Sequence, residues 1–337
     1  MRRLYLLLLS FGVLLVAATA PARAGVVRAH TAQRQHRFYV MFIPGLCAYT
    51  NSDPYCHSRV SAANRAQATF RTLMGRMAAA HVSYTPLYYS YNADHPSYYS
   101  VGDSHQTVAR SATALERELR HYARTDPAAT FDLVGHSLGG VVAAGWAVTD
   151  GRRYGYHASQ GLLARVRNIV TFDSPLRGIS ALFAGGGITQ LFGGPVLYSL
   201  QPDSETVKEI LFFPDAWWRT IGHLRTVANR ADKIVPARDA VLGNSRIVND
   251  TACPRDLLFI RTCHGAVLSD VSLNGWVACH WITDAQQCVV RPTPTATPTP
   301  TATPIPSSTA TIAPPTPIGT IPPPVPEPTL TATPGAT

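Results

Sequence analysis

The stretch Phe131-Asp-Leu-Val-Gly-His-Ser-Leu-Gly-Gly140 runs an apolar strand pattern into a serine boxed by glycines. The Gly-x-Ser-x-Gly pattern alone is weak, because at ordinary glycine and serine usage it arises by accident in roughly one chain in ten of this size. Its surroundings carry the weight. Thr130 to Gly135 reads as a strand and Leu138 to about Thr149 as a helix, while Gly135 and Gly139 let the backbone fold sharply between them. A serine on such a strand–turn–helix has its hydroxyl raised at the carboxyl end of a sheet, the position of a nucleophile elbow.

Working outward, Phe38-Tyr-Val-Met-Phe-Ile-Pro-Gly45 is a continuous apolar run ended by Pro-Gly, as a strand buried on both faces should be. Ser58 to Ala80 has no proline and a lone glycine, Gly75, and reads as a helix; Val82 to Tyr91 reads as a second strand, rich in tyrosine. Val108, Ala112, Leu115, Leu119 and Tyr122 follow helical spacing behind Asp103-Ser104, read here as capping residues. Further strands are expected at Val166 to Phe172, Leu224 to Asn229 and near Arg246 to Val248. Strands alternating with helices imply right-handed crossovers and a mainly parallel sheet covered on both faces, with sites at the carboxyl ends of its strands.

A serine hydroxyl is barely ionised at neutral pH, so attack on a carbonyl needs a base, usually histidine, oriented by a carboxylate. In this fold class the order along the chain is serine, acid, histidine. Asp232 lies just past a strand end, and His264 precedes what reads as the final helix. Asp173, at the end of the preceding strand, is an alternative acid. Among the other histidines, His136 should point its ring away from the serine hydroxyl, whereas His223 and His280 read as structural. Two oxyanion donors are also needed, one from the backbone N–H of Leu138 and one from the loop near Gly45-Leu46.

The chain ends set the cellular context. Met1-Arg-Arg, an apolar run from Leu4 to Ala20 and the Ala22-Arg-Ala24 exit read as a signal peptide over residues 1–24, with a linker over 25–37. A globular domain is expected over 38–290. From Arg291 to Thr337 the chain is mostly Thr, Pro and Ala with Glu327 as its only acid, a composition that cannot offset its ordering entropy and should be disordered. The protein is therefore expected to be secreted or held at the cell surface or wall, where it could touch a membrane or cell-wall surface.

The formal net charge is +9, or +6 once Arg2, Arg3 and Arg23 leave with the signal peptide, and the basic residues are scattered. Nothing here points to nucleic acid. The six cysteines fall at short separations, which in an exported chain implies disulfides; neighbour pairing would give Cys47–Cys56, Cys253–Cys263 and Cys279–Cys288. The Cys263-His264 and Cys279-His280 doublets lack zinc-ligand spacing, so no metal is expected.

Gly135-His-Ser-Leu-Gly-Gly140, Asp173-Ser-Pro-Leu-Arg-Gly178, Asp232-Lys-Ile-Val-Pro236 and His264 together resemble the secreted lipases and esterases of the α/β-hydrolase superfamily. They are similar to bacterial triacylglycerol lipases and to the lipase-like domain of proteins that deacylate glycolipid anchors. The resemblance loosely spans residues 38–285 and implies an α/β-hydrolase fold with Ser137, Asp232 and His264 as triad and Leu46 and Leu138 as oxyanion donors. One departure is that Pro44-Gly45-Leu46 stands where many lipases carry His-Gly. An insertion at about 176–223 sits where such enzymes carry a cap, and Phe212, Trp217 and Trp218 within it are expected to contact the acyl chain, either in a mobile lid or in a rigid helical cap.

The implied activity is hydrolysis of carboxylic esters of lipid-like or small substrates by a monomer without a cofactor. An acyltransferase using the same acyl-enzyme and a surface binding module with a vestigial site are the alternatives.

Overall fold

The computed structural model describes residues 37–47, 60–155, 161–179, 194–253 and 263–282. The chain divides into two units, Met1–Val289 and Val290–Thr337, and all described residues fall in the first. The expected signal peptide, the Thr/Pro-rich tail and the Gly185–Gly187 and Leu191-Phe192 stretches of the insertion lie outside the described residues.

Six strands form the main sheet: β1 (Phe38–Ile43), β3 (Thr85–Tyr88), β5 (Thr130–His136), β6 (Val166–Phe172), β7 (Leu224–Asn229) and β8 (Asn244–Val248). They lie in the order β3-β1-β5-β6-β7-β8, and every neighbouring pair is parallel. A second, two-stranded antiparallel sheet pairs β2 (Val60–Ser61) with β4 (Tyr98–Tyr99), which the sequence reading did not anticipate because each strand is too short for a period.

Strand β1 shows why the sheet is covered on both sides. Tyr39, Met41 and Ile43 enter one core and Val40 and Phe42 the other, as the two-residue period of a strand requires. The first core is closed by α3 (Val108–Thr125) and α4 (Leu138–Arg153), the second by α1 (Ala62–Ala79) and α8 (Val271–Val277). On α1 the buried side chains Ala66, Phe70, Leu73 and Met77 recur at helical spacing; each of the larger three contributes about 1.5–3 kcal/mol by leaving water.

The short helix α2 (Val101–Ser104) begins with a capping box between Ser100 and Asp103, and α3 is capped by the Thr107 side chain. Asp103 and Ser104 therefore do not cap α3. The expectation failed because two helices, not one, occupy this stretch.

The insertion contributes α5 (Pro195–Ser199), α6 (Glu205–Phe212) and α7 (Asp215–Thr220). Helix α7 ends just before β7 begins, and its Asp215 and Arg219 hydrogen-bond Gly243, the residue before β8. It thus sits at the amino-terminal edge of the parallel sheet. Trp217 and Trp218 are buried in the main core, pack edge to face with centroids 4.8 Å apart, and Trp218 donates to the Ile210 carbonyl. Their expected acyl-contacting role is corrected: β7 spans about 20 Å and separates them from the carboxyl ends where Ser137 and Asp232 lie. Phe212 is exposed but packs near Arg152 in the last turn of α4, about 22 Å along that helix from Ser137, so it too is corrected away from the site.

Candidate active site

Ser137 occupies the turn between β5 and α4 with φ +52° and ψ −123°, a strained conformation for a residue with a side chain. The glycines around it are required by close approach. A Cβ on Gly135 would lie 2.5 Å from the Gly140 nitrogen, one on Gly139 2.1 Å from the Ile43 carbonyl oxygen, and one on Gly140 2.1 Å from Ser174 Oγ. The Ser137 N–H donates to the Phe172 carbonyl at 2.9 Å, tying the turn to the end of β6.

His264 reaches this serine from 127 residues along the chain. Its Nε2 is 2.8 Å from Ser137 Oγ and its Nδ1 is 2.8 Å from Asp232 Oδ2. The network assigns the tautomer, with Nδ1–H donating to the carboxylate and Nε2 accepting from the hydroxyl. Asp232 sits in the turn after β7, where Oδ1 accepts from the backbone N–H groups of Ile234 (2.8 Å) and Val235 (3.0 Å), leaving Oδ2 for the imidazole. The Cys253–Cys263 disulfide anchors the residue before His264, and Cys263 has φ +59°. Cys47 and Cys279 are also disulfide-bonded; their expected partners Cys56 and Cys288 lie outside the described residues.

Asp173 is fully buried beside the pair, with φ +45°. Its Oδ1 accepts from the Asn229 N–H at 2.9 Å and its Oδ2 from the Gly265 N–H at 3.3 Å. Burial, and then the charge of Asp232, push its carboxyl up to about 7, against the opposing pull of His264 and the two amides. The two candidate acids thus do different things: Asp232 holds the imidazole, and Asp173 joins the segments that carry Asp232 and His264. Ligand atoms of Asp173, Asp232 and His264 lie within 4.8 Å of one another, close enough to consider a metal. The carboxylate oxygens, however, already face N–H donors, and the imidazole faces a carboxylate and a hydroxyl at hydrogen-bond distance, so the donor set fits a proton relay.

His136, expected to point its ring away from the Ser137 hydroxyl, packs beside His264. Its ring lies 5.0 Å from that of His264, its buried Nε2 has no hydrogen-bond partner, and burial followed by the neighbouring imidazole holds its pKa well below the ordinary histidine range. His280 stacks on Trp276 in the closing helical turn and His223 precedes β7, each away from the serine.

The loop after β1 presses on the elbow: a Cβ on Gly45 would lie 3.0 Å from Ser137 Cβ. Three residues distant in sequence hold this loop. The Tyr91 hydroxyl donates to the Pro44 carbonyl, the Cys47 N–H donates to Ser104 Oγ at 3.2 Å, and His105 Nε2 contacts the Cys47 carbonyl at 2.6 Å. Only residue spacing was visible in the sequence, and these bonds span 47 to 58 residues. Leu138 is the first residue of α4, so its N–H has no intrahelical acceptor.

A parallel sheet of this strand order with a serine elbow after β5 is the α/β-hydrolase fold. No protein-family model matches the sequence, and no curated protein matches it. Among solved structures the chain is similar to a cutinase-like protein from Cryptococcus sp., at 15% identity over 72% of this chain and 93% of that one with a TM-score of 0.38. It is similar also to a lipase from Bacillus licheniformis in its mature form (14%; 64% and 83%; 0.40) and to a lipase-esterase related protein from Clostridium acetobutylicum (13%; 72% and 93%; 0.37).

Proposed function

We propose that the chain is an exported serine hydrolase that cleaves carboxylic esters of lipid-like substrates through an acyl-enzyme on Ser137. The observation that carries this reading is the single imidazole within 2.8 Å of both a hydroxyl and a buried carboxylate.

In this reading Nε2 of His264 takes the proton as Ser137 Oγ attacks the ester carbonyl, and returns it to the departing alcohol as the acyl-enzyme forms. Asp232 keeps the ring oriented and balances the imidazolium. The N–H groups of Leu138 and Leu46 are the oxyanion donors; each such donor is worth about 10²–10³ in rate. The pinned Pro44–Cys47 loop supports that assignment, since a donor helps only if it needs no rearrangement when charge develops. Water, activated by the same imidazole, then releases the acid.

The test is a panel of p-nitrophenyl esters of graded acyl length, with fluorophosphonate labelling of the wild type and of Ser137→Ala. Turnover is expected to fall at least about 10⁴-fold in the folded variant, with labelling lost. Equal labelling of both proteins would overturn the reading. Higher turnover with added acceptor alcohols, giving new esters, would identify an acyltransferase on the same acyl-enzyme.

A further inference from the structure

A cavity of about 460 Å³ opens between the edge strand β3, the start of α1 and the middle of α3. Tyr88, Tyr98 and Tyr122 line it with Pro86, Leu87 and Glu118. It is separate from the serine: β1 lies between β3 and β5, and none of the lining residues takes part in the Ser137 site.

Glu118 is the anomaly. Its Oε1 is buried without a hydrogen-bond partner, and burial alone drives its carboxyl up to about 8. A carboxyl out of water normally finds a cation, and three basic residues stand within one helical turn. Arg117 and His121 themselves line the cavity, but among the described residues none of the three bonds the Glu118 carboxyl: Arg117 faces Asp94 at 3.8 Å, Arg120 donates to Glu116 at 2.9 Å, and His121 rests edge-on against Tyr122 with centroids 5.3 Å apart. The other titratable neighbours, Tyr88, Tyr89, Tyr98 and Tyr122, are phenols, which offer π faces and no positive charge.

We infer that this cavity binds an organic ammonium group, with the Glu118 carboxylate as counter-ion and Tyr88, Tyr98 and Tyr122 as its aromatic walls. A trimethylammonium or primary ammonium headgroup supplies the missing charge, and its weakly hydrated alkyl surface suits aromatic faces. A hard metal ion does not fit, because one carboxylate among phenols offers too few oxygens. A cation beside Glu118 favours the ionised carboxylate, so binding near neutral pH should release a proton from a group that is protonated in the empty cavity.

The experiment is titration calorimetry with choline and with tetramethylammonium at pH 7, in two buffers of different ionisation heat. The expected result is saturable one-site binding with release of close to one proton per ligand. Glu118→Gln should weaken binding at least about 10-fold while p-nitrophenyl acetate hydrolysis is unchanged. Tyr98→Ala, at an exposed position, should weaken it severalfold. No saturable heat with either ammonium, binding that survives Glu118→Gln, or a preference for neutral sugars such as N-acetylglucosamine would each overturn the inference. Because ester hydrolysis is read separately, failure here and failure of the serine hydrolase reading cannot be confused.

Discussion

The carboxylates of Asp173 and Asp232 stand at adjacent strand ends but hold different partners: Asp232 takes the His264 ring at 2.8 Å, while Asp173 takes the backbone N–H groups of Asn229 and Gly265. One holds the imidazole directly. The other clamps the end of β7 to the residue after His264.

This division predicts unequal losses. Asp232→Asn should reduce kcat about 10⁴-fold, because an amide cannot accept from Nδ1–H in the same way and favours the wrong tautomer. Asp173→Asn keeps the shape but has one acceptor for two N–H donors, so a modest shift of His264 should cost about 10-fold in kcat with KM unchanged. Steady-state kinetics of both variants check this, and a larger loss in Asp173→Asn than in Asp232→Asn would exchange their roles.

Gly139→Ala should be strongly disruptive. The added Cβ would meet the Ile43 carbonyl oxygen at 2.1 Å, and relief requires moving the end of β1 and with it the Pro44–Cys47 loop. A loss of about 2 kcal/mol or more is expected in urea unfolding, accompanied by a fall in kcat larger than Asp173→Asn produces.

Trp218→Ala tests the corrected position of the insertion. Removing a fully buried indole should cost about 3–5 kcal/mol in stability. In whatever fraction remains folded, the ratio of long-chain to acetate ester hydrolysis should stay at the wild-type value. A selective loss of long-chain activity would return Trp218 to the substrate site.

Glu118 also sets a pH dependence. Its carboxyl is raised from 4.5 to about 8 in the folded protein, so between those values the native state binds more protons than the unfolded one. The stability it contributes is fully present below 4.5 and is lost as pH rises through about 8. Glu118→Gln should therefore match the wild type in acid and exceed it above pH 8, by an amount of order 1 kcal/mol or about 2–4 °C in thermal unfolding. Asp173, raised to about 7, slopes the same way but is present in both proteins and cancels in the comparison.

Much of the fold was legible in the sequence because its signals are local. The apolar runs at Phe38–Ile43 and Val166–Phe172, each ended by a turn, need no knowledge of their neighbours to read as strands. Ser137, Asp232 and His264 were selected by position relative to strand ends, a rule of topology that the order of residues carries. The short β2–β4 pair and the capping of α2 and α3 were missed, since two-residue strands and a four-residue helix just ahead of a longer one have no period to detect.

By itself the sequence determined the alternation of strands and helices, and hence a parallel sheet with a serine at a strand end, since hydrophobic period and glycine placement act over a few residues. Only the tertiary structure decided that Asp232 rather than Asp173 holds the imidazole, that Tyr91, Ser104 and His105 grip the loop beside the elbow, and that Trp217 and Trp218 belong to the core at the far edge. Those outcomes depend on which groups meet across long separations, and burial, register and hydrogen-bond direction set them only once the chain has closed on itself.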